Sequence, residues 1–199
     1  MGRKSKSEER QKEILAAFYQ TVQQVGIEKA SIARIAKRID VNPSLIIHYF
    51  KNKEEMESAM VDSLLVKFQG DFLPAVEELE NTSDKLKLTI FGIFSLEWLH
   101  KVDPAVFYSF YIGIFRNEEL RQKFQNMYSV FADYLEKLLH QAKEEGVIPA
   151  HIQPREFATM LVSMQEGNTY YQFLMKGKIN GRAVAEHHVA MLYKMLGLD

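Results

Sequence analysis

The residues best equipped for chemistry in this chain are hydrogen-bonding caps and a lysine gathered between Ser31 and Glu55. What they offer is recognition of an anionic, grooved surface rather than the making of bonds. Ser31 is placed to cap a short helix in which Ile32, Ile35, Ala36 and Ile39 recur at i, i+3, i+4 and i+7, a single inward stripe. Asn42-Pro43 supplies a second cap with proline at the first helical position, where a missing N–H costs nothing, so Asp40-Val41 is the turn. At about 100° per residue, Ile46, Tyr49 and Phe50 of the second helix point one way and Ser44, Leu45, Ile47 and His48 the other. Leu45 and Ile47 are branched aliphatics that a solvated face would not favour, so that face wants a partner. Asn52 then caps a third helix, Glu55 completes a capping box, and Lys53 sets a positive charge at a helix N-terminus, which already favours phosphate.

The elements that must hold these groups are all helical. Arg10 to Val25 carries Ile14, Ala17, Phe18, Thr21, Val22 and Val25 on one face and stops at Gly26. From Asn52 a long helix is expected towards Glu80 with Met56, Met60, Leu64, Phe68 and Phe72 inward, Pro74 kinking it or splitting off its end. Further helices are expected from Asp84 to about Lys101, from Asp103-Pro104 to about Phe115, from Asn117 to Gly146, from Pro154 to about Lys176, and from Gly181 to about Leu196. The fold class is all-α with about nine helices: an N-terminal three-helix helix-turn-helix part over residues 1–52 and a C-terminal helical bundle over 53–199.

The run I-A-K-R-I-D-V-N-P-S-L-I-I-H-Y-F-K-N-K-E-E-M resembles the signature of the TetR family of bacterial transcriptional regulators, and its I-I-H-Y-F ending is similar to the betaine-regulator branch. The motif covers residues 31 to 56; the remainder agrees in length and layout. The resemblance implies that Ser31 and Lys53 touch phosphates, that Ser44, Leu45 and His48 face bases or backbone in the major groove, and that Tyr49 reaches a phosphate. Arg34, Asn42 and Ile47 complete the expected DNA-contacting set. The chain departs from the family pattern at Asp40, where a turn glycine is usual, at Pro43-Ser44, and at Ile47, where a tyrosine is frequent. Asp40 is expected to need a left-handed backbone, which Asp tolerates better than most residues. Leu45 and Ile47 donate no hydrogen bonds and should prefer thymine methyl groups.

Charge is distributed to match. The formal net charge is −1, yet residues 1–53 hold eleven Lys or Arg against five Asp or Glu, leaving fourteen against twenty-one for the rest. This places nucleic-acid contact at the N-terminal end. With no cysteine, neither a disulfide framework nor a thiolate metal site is available. The opening M-G-R-K-S-K has no apolar signal stretch, and Lys6 breaks the myristoylation pattern. The expectation is a cytoplasmic protein that enters no membrane. Arg3, Lys4, Lys6 and Arg10 read equally as a tail gripping DNA and as a solubilising terminus.

Of the twenty-three aromatic residues, only Phe18, Tyr19, Tyr49 and Phe50 precede residue 54. The later ones at helical spacing read either as core or as the wall of a cavity for a small effector. The family resemblance favours a cavity within the C-terminal part. Its expected lining starts with Phe68, Phe72, Phe91, Phe94 and Trp98. It continues through Phe107, Tyr108, Tyr111 and Phe115, then Met127, Tyr128 and Phe131, with Gln165, Asn168 and Tyr171 adding polar contacts. Acidic residues are scarce there, which leans towards an apolar or aromatic effector. Phe157, Leu161, Met164 and Asn168 on one late helix, and Val184, His188, Val189, Leu192 and Met195 on the other, are expected either to form a homodimer interface, as in relatives, or to cover the monomer's own core. His187-His188 lacks a third ligand at helical spacing, so no metal is expected. No cofactor motif or nucleophile–base spacing points to an enzyme. The expected partners are an operator in double-stranded DNA, a second copy of the chain and a small effector. An effector-free DNA binder and an enzyme or carrier on the same fold are the rival readings.

Overall fold

Caps and breakers divide the chain into ten α-helices among the described residues, in a computed structural model that describes the backbone of residues 2–69, 72–95 and 102–198 and the side chains of 6–64, 66, 74–95 and 102–198. They are α1 (Gly2–Val25), α2 (Ile32–Arg38), α3 (Pro43–Tyr49), α4 (Lys53–Gln69), α5 (Phe72–Glu77), α6 (Thr82–Phe94), α7 (Pro104–Tyr111), α8 (Glu118–Glu144), α9 (Pro154–Leu174) and α10 (Gly181–Leu196), with a 3-10 segment at Ile112–Phe115. The all-α expectation holds. The tenth helix is α5, the piece containing Pro74. Helix α1 reaches back to Gly2, eight residues earlier than its apolar face required. Helix α6 starts at Thr82, not Asp84, because Asn81 accepts from the Asp84 N–H at 2.7 Å and so caps one turn sooner; its expected end at Lys101 falls outside the described residues.

The helices group into two compact units, residues 1–67 with 102–124, and residues 68–101 with 125–199. In the first unit Ile14, Ala17, Phe18 and Val22 of α1 are buried with Ile35 and Ala36 of α2, Ile46 of α3, and Met56, Met60 and Leu64 of α4. Gly26, at φ +79°, ends α1 in the left-handed conformation that glycine adopts without a Cβ penalty. Helix α7 belongs to this unit through contacts far apart in sequence. Tyr19 Oη accepts from the Asp103 N–H at 2.6 Å, Gln23 Nε2 donates to Asp103 Oδ2 at 2.8 Å, and Phe18 meets Phe110 edge-on at 5.8 Å. The start of α8 joins α4 through Lys123, which donates to the Ser58 carbonyl at 3.1 Å and pairs with Asp62.

The second unit is built around Leu86, Ile90 and Phe94 of α6, Leu135 and Leu139 of α8, Leu161 of α9, and Leu192 and Leu196 of α10. Tyr193 Oη on α10 donates to the Lys87 carbonyl at 2.8 Å. Helix α8 stops just before Gly146, as expected, and the Lys143 ammonium donates to the Ile152 carbonyl at 2.7 Å, tying down the turn that follows. No helix among the described residues is long and apolar enough to cross a membrane.

Candidate nucleic-acid interface and effector region

Each cap expected between Ser31 and Glu55 is formed. Ser31 Oγ accepts from the Arg34 N–H at 3.4 Å, a long bond; Asn42 Oδ1 accepts from the Ser44 N–H at 2.9 Å; Asn52 Oδ1 accepts from the Glu55 N–H at 2.8 Å. Glu55 departs from the expected capping box, its Oε2 accepting from the Lys51 N–H at 2.9 Å, one residue before the Asn52 cap. Asp40 sits at φ +52°, the left-handed conformation expected of a residue standing in a glycine's place. The turn closes with the Val41 N–H donating to the Ala36 carbonyl at 3.0 Å.

Burial sorts the recognition residues as the angles required except at Leu45 and Tyr49, which are equally half-buried. Ile46 and Phe50 are buried, while Ser44, Ile47 and His48 are exposed and Leu45 and Tyr49 are half-buried. Ile47 is 49% exposed, an aliphatic held out to solvent beside His48, whose ring meets that of Tyr49 edge-on at 5.2 Å. Ser31, Arg34 and Asn42 are exposed on the same segment. Lys53 is half-buried, and its ammonium donates to the Ile27 carbonyl at 2.6 Å with Glu57 Oε1 3.5 Å away. Burial raises the Glu57 pKa, against the pull of Lys53. Arg38, at the end of α2, donates to Thr21 Oγ1 at 3.1 Å, to Gln20 Oε1 at 3.3 Å and to Gln24 Oε1, fixing α2 on α1. The basic residue near a helix C-terminus was visible in the sequence; its three acceptors, at least fourteen residues away, were not.

The expected cavity residues fall in both units. Phe107, Tyr108, Tyr111 and Phe115 belong to the first, with Phe107 against Phe124 at 5.6 Å and stacked at 6.0 Å on Tyr111. Phe91, Phe94, Met127, Tyr128, Phe131, Gln165, Asn168 and Tyr171 belong to the second. Phe94, Phe107 and Met127 are buried, and Tyr108, Tyr111, Tyr128 and Phe131 are half-buried. Phe115 is 81% exposed, and Phe91 and Tyr171 are also exposed, so these three stand at the surface of the single chain instead of turning inward. Phe115 is carried outward by the 3-10 segment that interrupts the aromatic run. Trp98 and the side chains of Phe68 and Phe72 lie outside the described residues. Tyr128 Oη donates to Glu166, a half-buried carboxylate whose pKa burial raises; one acidic residue on a long helix carries no pattern in the sequence.

The expected dimer residues require correction. Leu161 and Leu192 are 0% exposed and, with Phe157 and Val189, form the core of the second unit. Asn168 is also buried; Met164, Val184 and His188 are half-buried; only Met195 is exposed. An inward stripe and an interface stripe have the same period on a helix, and here the inward stripe was the one read. The outward apolar residues are Tyr170, Tyr171 and Leu174 on α9, and Met191 and Met195 on α10. His188 places Nδ1 3.1 Å from Asn168 Oδ1.

A three-helix head whose turn helix is held from behind and faces outward with Ser44, Ile47 and His48, joined to a helical bundle, defines a helix-turn-helix regulator. Residues 14–60 match the family described as bacterial regulatory proteins, tetR family, and residues 81–198 match the tetracyclin repressor-like C-terminal domain. The chain belongs to the TetR family of DNA-binding transcriptional regulators, which are not enzymes. The HTH-type transcriptional regulator BetI of Brucella anthropi is 26% identical over 113 residues, spanning 57% of this chain and 58% of that protein. BetI of Stenotrophomonas maltophilia is 24% identical over 173 residues, 86% of this chain and 85% of that one. Among solved structures, a transcriptional regulator from Saccharomonospora viridis in complex with choline matches with a TM-score of 0.81 at 14% identity, covering 94% of this chain and 96% of the other. FadR from Bacillus subtilis in complex with stearoyl-CoA matches with a TM-score of 0.72 at 21% identity, covering 92% and 98%. At these identities the structures speak for the fold.

Proposed function

We propose that the chain is a homodimeric repressor that leaves a palindromic operator when a small, mainly apolar or aromatic effector binds it, acting in the cytoplasm. The observation that carries the reading is the pair of faces on α3: Ile46 and Phe50 anchored within the first unit, and Ser44, Ile47 and His48 presented outward. In this reading residues 1–52 do the DNA binding and 53–199 bind the effector and the second copy. Ser31, Tyr49 and Lys53 bind phosphates and fix register, Arg34 and Asn42 flank them, and Ser44, Leu45, Ile47 and His48 test bases. The buried aromatics of the second unit support an apolar effector, the choline and stearoyl-CoA of the structural neighbours being those proteins' ligands. The exposed Tyr170, Tyr171, Leu174, Met191 and Met195 supply the face for the second copy. Two readers one turn of DNA apart, roughly 34 Å, then require a near-palindromic site.

The test is selection of bound duplexes from a random pool by the full chain. The expected result is a two-fold-symmetric consensus with A·T pairs where Leu45 and Ile47 reach. A consensus with G·C at every contacted position removes the thymine-methyl reading, and no enrichment at low salt removes the DNA-binding role itself.

A further inference from the structure

The inner face of α9 changes character halfway along. Phe157, Ala158 and Leu161 are apolar, and then Gln165, Asn168 and Thr169, all buried, take over the same face, with Gln172 one turn further on. Polar side chains placed where a core would favour leucine must find hydrogen bonds. Most do: Gln165 Nε2 donates to Thr169 Oγ1 at 2.9 Å, and Gln172 Nε2 donates to Asn168 Oδ1 at 3.1 Å. His188 Nδ1 approaches the same Asn168 Oδ1 at 3.1 Å, as a donor in the Nδ1–H tautomer. Asn168 Nδ2 is then left with no acceptor, although the residue is only 4% exposed. A buried amide donor without an acceptor is destabilising.

The surroundings define what would relieve it. The His188 ring lies 5.9 Å from the ring of Phe94, which is wholly buried, and His188 itself is half-buried. Among the described residues, no Lys, Arg, Asp or Glu side chain hydrogen-bonds to Gln165, Asn168, Thr169, Gln172 or His188. Burial lowers the His188 pKa and so favours the neutral imidazole, which adds no positive charge. Burying a carboxylate or phosphate here would lack charge compensation, whereas a neutral oxygen acceptor costs little to desolvate. We propose that Asn168 Nδ2 receives the oxygen of a neutral carbonyl group, as in a ketone, ester, thioester or amide, on an otherwise apolar effector bound where α6, α9 and α10 meet beside Phe94 and His188. This rests on the effector reading and narrows it to a chemical class.

Three probes of one shape test it on the full chain: acetophenone, which has the neutral carbonyl; ethylbenzene, which lacks it; and benzoate, which replaces it by an anion. Calorimetry gives the affinities, and side-chain amide NMR of the ¹⁵N-labelled wild type reads the Asn168 NH₂ group directly, assigned by its loss in Asn168→Leu. Acetophenone is expected to bind about five- to tenfold tighter than ethylbenzene and tighter than benzoate, and to move the Asn168 amide resonance. Asn168→Leu should abolish the preference while still binding ethylbenzene. Equal affinities for acetophenone and ethylbenzene, an amide resonance that no probe moves, or one that contacts only a bound water overturn the proposal. The wild-type amide measurement keeps it falsifiable if Asn168→Leu fails to fold. Operator affinity measured with each bound probe separates the two ideas. Probe binding that releases DNA without moving the amide sinks only the carbonyl site; an amide that moves while DNA affinity stays fixed sinks only the effector switch.

Discussion

Glu166 is a half-buried carboxylate on α9, and desolvation lifts its pKa above the ordinary 4.5 despite the hydrogen bond donated by Tyr128. At pH well below 4.5 the group is protonated in both folded and unfolded chains, and the difference contributes nothing. As pH rises past 4.5 the unfolded chain loses its proton first, so the folded state loses relative stability until the pH passes the raised folded value, and the loss is complete above it. Glu166→Gln keeps an acceptor for Tyr128 and removes the titration. Its melting temperature should exceed that of the wild type by a few degrees at pH 7, the gap closing towards pH 4; a gap that does not narrow on acidification assigns the effect to something other than this proton. In the first unit, Ile47→Ala should lower the preference for thymine over the other bases at the contacted position by a few-fold, readable in competition binding with single-base operator variants. These two residues differ in legibility. Ile47 was readable because an aliphatic residue on the outward side of a capped helix is a local anomaly. Glu166 and Arg38 were not, because their roles depend on Tyr128, Thr21, Gln20 and Gln24, which only the tertiary fold brings near.

The turn between α2 and α3 depends on Asp40 holding φ +52°. A left-handed L-residue carries a cost of roughly 1 to 2 kcal/mol, which Asp partly offsets and glycine avoids. Asp40→Gly should therefore leave stability unchanged or raise it by up to about 1 kcal/mol, while the β-branched Asp40→Val should lower it by about 1 to 2 kcal/mol, measured by urea midpoints. An Asp40→Gly chain clearly less stable than the wild type would mean that the carboxylate does more than occupy the turn. At this scale caps and breakers were legible: Asn42-Pro43, Asn52, Asp103-Pro104, Asn117 and Gly146 all mark element ends where the sequence put them. The misreadings came from elements with two apolar faces. Helices α9 and α10 bury Leu161 and Leu192 on one side and expose Leu174 and Met191 on the other, and periodicity alone does not say which side meets a second chain.

The whole assembly is the scale at which that outer face matters. Leu174→Glu combined with Met191→Glu places charge on residues already exposed in the single chain, so the fold should be little affected. Sedimentation is expected to show a monomer, with thermal melting near that of wild type and operator affinity strongly reduced because the two half-sites are no longer read together. A double variant that remains dimeric moves the interface elsewhere. The α7 contacts have a different consequence, one that concerns the order in which the chain is made. Phe18 is covered by Phe110, and Tyr19 and Gln23 bond to Asp103, so the reading head closes over residues that leave the ribosome long after its own helices. At about 5 to 20 residues per second, α1 to α4 wait roughly 3 to 11 s after residue 67 until residue 124 has been synthesised. A nascent chain arrested inside that interval carries a complete recognition helix on an unfinished support. For the same reason a fusion that moves the reader to another protein is expected to need residues 53–67 and 102–124 beside the first 52.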